Sequence, residues 1–165
     1  MKLKFILFFS VSVSAISQVS ILPEAFDVNQ SITITVDTKS PATDCNGISN
    51  PTKGYMHSGI GDDTNPWSKT IGNWGTDEGV GLMTNNGDYT WSITITPKTY
   101  YNLTDTEAAN ATKMGMVFRN ETGAQELKDS GCNDFFFNVG TFQLNLTSPT
   151  QNLTVLNSGA SLTIE

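Results

Sequence analysis

Strict alternation of apolar and polar residues is the feature that most constrains the fold of this chain. In residues 32–37 every second residue is Ile or Val, and the residues between them are Thr or Asp. The same alternation runs through residues 89–96, where Pro97 stops it. A period of two places successive side chains on opposite faces, as in a half-buried strand. Residues 86–88, Asn-Gly-Asp, indicate a hairpin turn, with residues 82–85 as the partner strand.

Shorter runs of the same kind predict further strands, and a single segment has a helical pattern. The further strand candidates are residues 54–58, 68–71, 114–118, 125–128 and 135–139. Residues 104–112 predict one short helix, because Thr104 can cap its first turn and Glu107 completes a capping box. About seven to eight short strands, separated by turns that contain Gly, predict an all-β fold, an immunoglobulin-like antiparallel β-sandwich.

The two ends of the chain differ from its middle. Residues 1–17 begin with Met-Lys-Leu-Lys, continue as a short apolar run and end in a small-x-small pattern, which is typical of a secretory signal peptide. The apolar run has about a dozen residues, whereas a membrane-spanning helix needs roughly 20, so we predict a secreted protein without a transmembrane segment. We assign residues 18–140 to the β-sandwich. Residues 141–165 are expected to form a linker and the start of a second, truncated immunoglobulin-like domain.

Export gives the two cysteines a structural meaning. In an oxidising compartment, Cys45 and Cys132 most simply form a disulfide with each other. The bridge would close a long loop, for which chain entropy gives roughly 4–5 kcal/mol of stabilisation. A reactive thiol is the functional alternative. It would need a basic neighbour to lower its pKa, whereas Asp44 and Asp134 nearby carry the opposite charge.

Composition and charge exclude several function classes. The net charge is −7, and nucleic acid is therefore an unfavourable partner because a phosphate backbone attracts a basic surface. One histidine and two cysteines are too few for a Cys/His zinc site or an iron–sulfur cluster. We therefore expect no cofactor, although the acidic loops could supply oxygen ligands to a calcium ion.

One stretch between residues 54 and 81 combines aromatic rings with short polar side chains. Tyr55 and His57 are two residues apart on a predicted strand and therefore share a face. Trp67, Asn73 and Trp74 lie in loops rich in Gly, Asn and Pro. A sugar presents apolar C–H faces and hydroxyl edges, so its binding site needs flat aromatic surfaces bordered by polar groups. These five residues are the candidates for carbohydrate binding.

Each of these candidates also has a structural interpretation. The two loop tryptophans could fold back over the open end of the sandwich, and His57 could be an ordinary strand residue. Trp91 is different, because it alternates with strand isoleucines and is therefore predicted to lie in the core.

Catalysis is a competing hypothesis, because glycoside hydrolysis uses a pair of carboxylates. The acids available in this stretch are Asp62, Asp63, Asp77 and Glu78. A serine hydrolase triad would have to use His57, and no Gly-x-Ser-x-Gly motif is present to support it.

The same residues resemble a known family, the N-terminal β-sandwich modules of secreted bacterial α-amylase-type glycoside hydrolases. The similarity extends over roughly residues 26–140. The segments that carry it are 54–59 (GYMHSG), 72–75 (GNWG) with the acidic and Gly-rich run to residue 81, 97–101 (PKTYY), 117–120 (VFRN) and 134–136 (DFF).

The resemblance implies a noncatalytic module that precedes further immunoglobulin-like and catalytic (β/α)8 domains. Starch-binding modules of related shape use one histidine and two tryptophans as the platform for an α-glucan, and His57, Trp67 and Trp74 match that pattern. The leading hypothesis is a secreted, noncatalytic carbohydrate-binding module for starch or a related α-glucan. The alternatives are a structural or adhesive β-sandwich spacer without glycan binding, and a small hydrolase.

Overall fold

The computed structural model describes residues 18–39, 45, 47–49 and 51–140. The predicted signal peptide (residues 1–17) and the predicted start of a second domain (residues 141–165) lie outside the described residues. In the part of the chain that is described, no helix has the length and apolar character needed to cross a membrane.

Two antiparallel sheets contain the strands of the described residues. The first sheet has the order β1-β2-β6-β5, with strands β1 (Val19–Leu22), β2 (Ile32–Asp37), β5 (Thr84–Gly87) and β6 (Thr90–Ile95). The second has the order β4-β3-β7-β8, and β9 also pairs with β7; its strands are β3 (Gly54–Gly61), β4 (Lys69–Ile71), β7 (Lys113–Asn120), β8 (Glu126–Leu127) and β9 (Phe135–Asn138). The prediction of an all-β antiparallel sandwich is confirmed.

The predicted elements differ from the observed ones in number. The described residues contain nine strands, whereas seven to eight were predicted, and two short α-helices in place of one. The predicted helix is present as α2 (Asp105–Asn110), and its Thr104–Glu107 capping box is formed. The additional helix, α1 (Pro97–Tyr100), begins at Pro97, which ends the preceding strand as predicted and also stands at the first helical position. Strand β1 was not predicted, because apolar Leu22, which is 68% exposed, follows Ile21 and breaks the alternation in the sequence.

The β5–β6 hairpin turns later than its sequence predicts. Gly87 pairs with Thr90, so the two-residue loop consists of Asp88 and Tyr89. Both residues have positive φ, at 48° and 66°, as a type I′ turn requires. The pairing register also shifts between Asn85 and Gly87, which marks a bulge at Asn86. The predicted Asn-Gly-Asp segment therefore supplies the bulge and only the first turn residue.

Apolar residues from both sheets share one core. Ile32, Ile34 and Val36 of β2 are at most 1% exposed, and the alternation of β2 is the one predicted. Trp91 of β6 is 5% exposed, which confirms its assignment to the core. Its indole lies against Gly54 of the opposite sheet, where an added Cβ would come within 2.9 Å of the ring.

The disulfide between Cys45 and Cys132 is present, as predicted. It joins residues 87 positions apart and fixes the 3-10 turn Ser130–Cys132 that leads into β9. Because β9 pairs with β7, the bridge stabilises the same sheet that contains the candidate site.

Candidate functional site

The candidate site lies on the outer face of the second sheet, where β3 pairs with β7. The core-facing residues of β3 are Met56, Ser58 and Ile60, all buried. The residues between them therefore face outward, and the register places His57 opposite Val117 and Gly59 opposite Gly115. The predicted strand alternation thus turns His57 away from the core.

Two paired glycines provide the surface on which Trp67 rests. An added Cβ at Gly59 would lie 2.8 Å from Trp67 Cε3, and one at Gly115 would lie 2.9 Å from Trp67 Nε1. The indole therefore crosses from β3 to β7 in a space that only glycine leaves open. Trp67 is partly buried by this packing and does not cover the end of the sandwich.

The loop between β3 and β4 folds back over β3 and so places Trp67 on the outer face of the sheet. Asp62 Oδ1 accepts hydrogen bonds from the backbone N–H of Thr64 and Asn65, at 2.9 and 2.8 Å, and from the Thr64 hydroxyl. These bonds lower the pKa of Asp62. At Gly61 an added Cβ would lie 2.0 Å from the carbonyl oxygen of Asn65, so the loop folds closely back on the strand.

The loop that carries Trp74 is anchored by a buried arginine. Arg119, on β7, is 1% exposed. Its Nη2 donates to the carbonyl oxygens of Asn73 and Thr76, at 3.2 and 2.9 Å. The guanidinium also lies 6.0 Å from the centre of the Trp74 ring. The indole also packs against Gly123, where an added Cβ would come within 2.8 Å of Trp74 Nε1.

His57 lies between the two tryptophans. Its ring centre is 5.8 Å from that of Trp67, with the planes nearly parallel at 25°, and 5.3 Å from that of Trp74, with the planes perpendicular at 89°. Trp74 is 44% exposed. The structure therefore brings together the three residues that the sequence singled out.

These rings border a shallow depression of about 410 Å³ that also contains charged groups. Its lining residues are His57, Trp67, Trp74, Val117, Glu126, Lys128 and Asp134. Lys128 Nζ lies 3.5 Å from Asp134 Oδ1, and the two side chains are 26% and 28% exposed. Flat apolar rings thus face solvent beside groups that can donate or accept hydrogen bonds.

His57 is held in its neutral form at neutral pH. Burial lowers the pKa of His57, and the positive charge of Arg119 lowers it further, whereas Asp134 acts in the opposite direction. A neutral imidazole has one N–H donor and one acceptor nitrogen, so it can both give and receive a hydrogen bond from a hydroxyl.

Tyr55 and Asn73, two of the predicted sugar contacts, do not line the depression. Tyr55 does share the outward face with His57, but it is 1% exposed and offers no surface to a ligand. Its ring stacks on Arg119, 4.5 Å from the guanidinium carbon, and its hydroxyl donates to Asp77. Asn73 is exposed, but its side-chain amide donates to Glu78 at 2.9 Å. Both residues hold the Trp74 loop in place and lie outside the lining of the depression.

Sequence reasoning missed the charged lining residues, although a signal for two of them was present. Glu126 and Lys128 flank Leu127, which is fully buried, so strand alternation alone places both on the outer face. Asp134 entered the sequence analysis only as a neighbour of Cys132 and as part of the DFF segment of the resemblance. Arg119 had no local signal, because its partners lie in a distant loop.

The candidate catalytic acids participate in hydrogen bonds or ion pairs within and between loops. Asp63 pairs with Lys113 at 2.8 Å, and Asp77 accepts from Lys53 as well as from Tyr55. Glu78 accepts hydrogen bonds from the backbone N–H and the side-chain amide of Asn73, and Asp62 accepts those of its own loop described above. Among the residues that the structure describes, no three His, Cys, Asp or Glu side chains are grouped closely enough to hold a metal ion.

Comparisons with models of protein families and with curated proteins each find no match for this chain. The function must therefore be argued from the geometry of the site.

Proposed function

We propose that the β-sandwich of residues 18–140 is a noncatalytic carbohydrate-binding module whose ligand is starch or a related α-glucan. In this proposal a sugar ring stacks on the exposed face of Trp74 and on Trp67. His57 and the charged groups around the depression form hydrogen bonds with its hydroxyls.

The observation that carries the proposal is the convergence of three aromatic side chains at one solvent-facing depression. At 44% exposure Trp74 leaves a large flat apolar area in contact with water, and a sugar that stacks on the ring would remove that area from water. The polar groups beside the rings are the complement that a sugar requires, since they compensate the loss of water from hydroxyls. A spacer domain has no need for such an arrangement.

Secretion and an α-amylase-type parent enzyme are part of the same proposal. The Cys45–Cys132 disulfide supports an oxidising compartment, where such bridges persist. The parent enzyme is proposed from the sequence resemblance, and any hydrolytic activity would belong to other domains of that enzyme.

Affinity electrophoresis in gels that contain soluble starch tests the proposal. We expect starch to retard the wild-type chain, and we expect Trp74→Ala to lose most of the retardation. Tyr89→Ala is the matched control, because Tyr89 is 51% exposed but lies in the hairpin turn between β5 and β6 of the other sheet. Unchanged wild-type mobility, or equal retardation of the Trp74 and Tyr89 variants, would favour the spacer alternative.

A further inference from the structure

Phe136 is an apolar residue on the solvent-facing side of its strand. β9 begins with three consecutive phenylalanines. Phe135 is 6% exposed and Phe137 packs partly buried against the core, whereas Phe136 between them is 47% exposed. A half-buried strand needs apolar residues only at alternate positions, so the core explains Phe135 and Phe137 but not Phe136.

The Phe136 ring adjoins the candidate site. Gly115 of β7 pairs with Gly59 on one side and with Phe136 on the other. An added Cβ at Gly115 would lie 2.9 Å from Trp67 Nε1 and 3.0 Å from Phe136 Cε1. The two rings therefore meet above the same glycine, and the aromatic surface continues from Trp67 onto Phe136.

Polar groups accompany this extended surface. Asp134 and Phe136 are two residues apart, so both project from the outer face at the β9 side of the sheet. Lys128 lies beside Asp134. Asp134 can only accept hydrogen bonds and Lys128 can only donate them, which together suit the hydroxyls of a neutral sugar. This combination distinguishes the surface from a purely apolar patch that another protein would cover.

We propose that Phe136 forms a second sugar-binding subsite, and that the ligand is therefore a chain of several neutral, linked sugar units rather than a single terminal sugar. This inference rests on the proposed α-glucan function. In this proposal a short oligosaccharide is held at Trp74 and Trp67 and leaves Phe136 uncovered. A longer one crosses Gly115 and covers the exposed ring.

Chain-length dependence tests this subsite. Isothermal titration calorimetry gives the Kd of the full chain for maltotriose and for maltoheptaose. We expect Phe136→Ala to weaken maltoheptaose binding about tenfold, because half of a phenylalanine ring is no longer covered, and to leave maltotriose binding unchanged. Trp74→Ala should weaken both ligands. The matched control Tyr89→Ala should change neither, and urea unfolding should show that every variant is folded.

The possible outcomes separate the two proposals. If the wild type binds and Trp74→Ala weakens both ligands, but Phe136→Ala alters neither or both equally, the subsite is wrong and the α-glucan site stands. If Phe136→Ala lowers stability without changing either Kd, another part of the chain covers Phe136, which also overturns the subsite. If the wild type binds neither oligosaccharide, both proposals are rejected.

Discussion

Replacing Arg119 with methionine should release the loop that presents Trp74. Arg119 is the single arginine of the sequence and is almost fully buried. It donates to four carbonyl oxygens, two in the Trp74 loop and two where β7 ends, at Asn120 and Glu121. Methionine fills a similar volume but can donate no hydrogen bond. The substitution therefore separates the anchoring of the loop from the packing of the sheet.

The magnitude follows from the quality of these bonds. The bonds to Asn120 and Thr76 are 2.9 Å long, whereas those to Asn73 and Glu121 are 3.2 and 3.3 Å. A hydrogen bond to a charged group contributes about 1.5–3 kcal/mol. Desolvation offsets part of this sum, because burial lowers the pKa of Arg119 and its Nε is buried without a partner in the described structure. We expect a net loss of about 3 kcal/mol in the free energy of unfolding.

Urea unfolding measures this loss against a control on the same strand. Lys113 also lies on β7, carries the same charge, and has a side chain that is only 28% exposed. Its ion-pair partner, Asp63, is exposed, and exposed ion pairs contribute little to stability. Lys113→Met should therefore lower the free energy of unfolding by less than about 1 kcal/mol. Arg119→Lys should not restore stability, because lysine lacks the planar fork that reaches carbonyls on both sides.

A second measurement shows whether Arg119 acts on Trp74 in particular. In a Trp67→Phe background, acrylamide quenching reports mainly on Trp74, because Trp91 is only 5% exposed. Arg119→Met should raise the quenching constant and reduce retardation by starch while the protein remains folded. A stability loss below about 1 kcal/mol, or unchanged quenching and retardation, would refute the anchoring role.

Three further predictions concern the support of the site. Gly59→Ala should lower stability by about 1–3 kcal/mol and weaken starch retardation, since its methyl group would meet both the indole and the backbone of Trp67; urea titration and affinity gels check this. The pKa of His57 is lower in the folded chain than in the unfolded chain. As the pH falls, the unfolded chain therefore binds a proton at this residue before the folded chain does. The stability of the wild type relative to His57→Asn should therefore be full above about pH 6.5 and decrease as the pH falls through the depressed pKa; a difference that is equal at pH 7.5 and 5 contradicts the argument. Replacing Cys45 and Cys132 with alanine should cost about 4 kcal/mol relative to the oxidised wild type in urea unfolding, and the reduced wild type should lose a similar amount; a loss under 1 kcal/mol would count against the chain-entropy reasoning.

Local patterns predicted most of the fold. The alternation in β2 and β6 depends only on neighbouring residues, so both strands have nearly the predicted bounds. The capping box at Thr104 is equally local and was also correct. The hairpin turn was placed too early because the β-bulge at Asn86 shifts the register, and an inserted strand residue leaves no separate mark in the sequence.

The site was predictable only in part, because its support depends on contacts between distant residues. His57, Trp67 and Trp74 could be selected from their chemistry alone. The burial of Tyr55 could not be predicted from local sequence. It results from Arg119, which is 64 residues further along the chain and stacks on the Tyr55 ring. A buried arginine that donates to the carbonyls of a remote loop has no periodic sequence signal.

The hydrogen bonds of the acidic loops bear on the competing hypothesis of catalysis. A glycosidase needs two carboxylates free to act on opposite sides of one bond. Asp62 accepts hydrogen bonds from its own loop, and Asp77 accepts from Tyr55 beneath the Trp74 loop. The hydrogen bonds of Asp62 fold the loop that carries Trp67, and Asp77 belongs to the loop that carries Trp74. In the structure these two carboxylates therefore support the loops that present the aromatic rings.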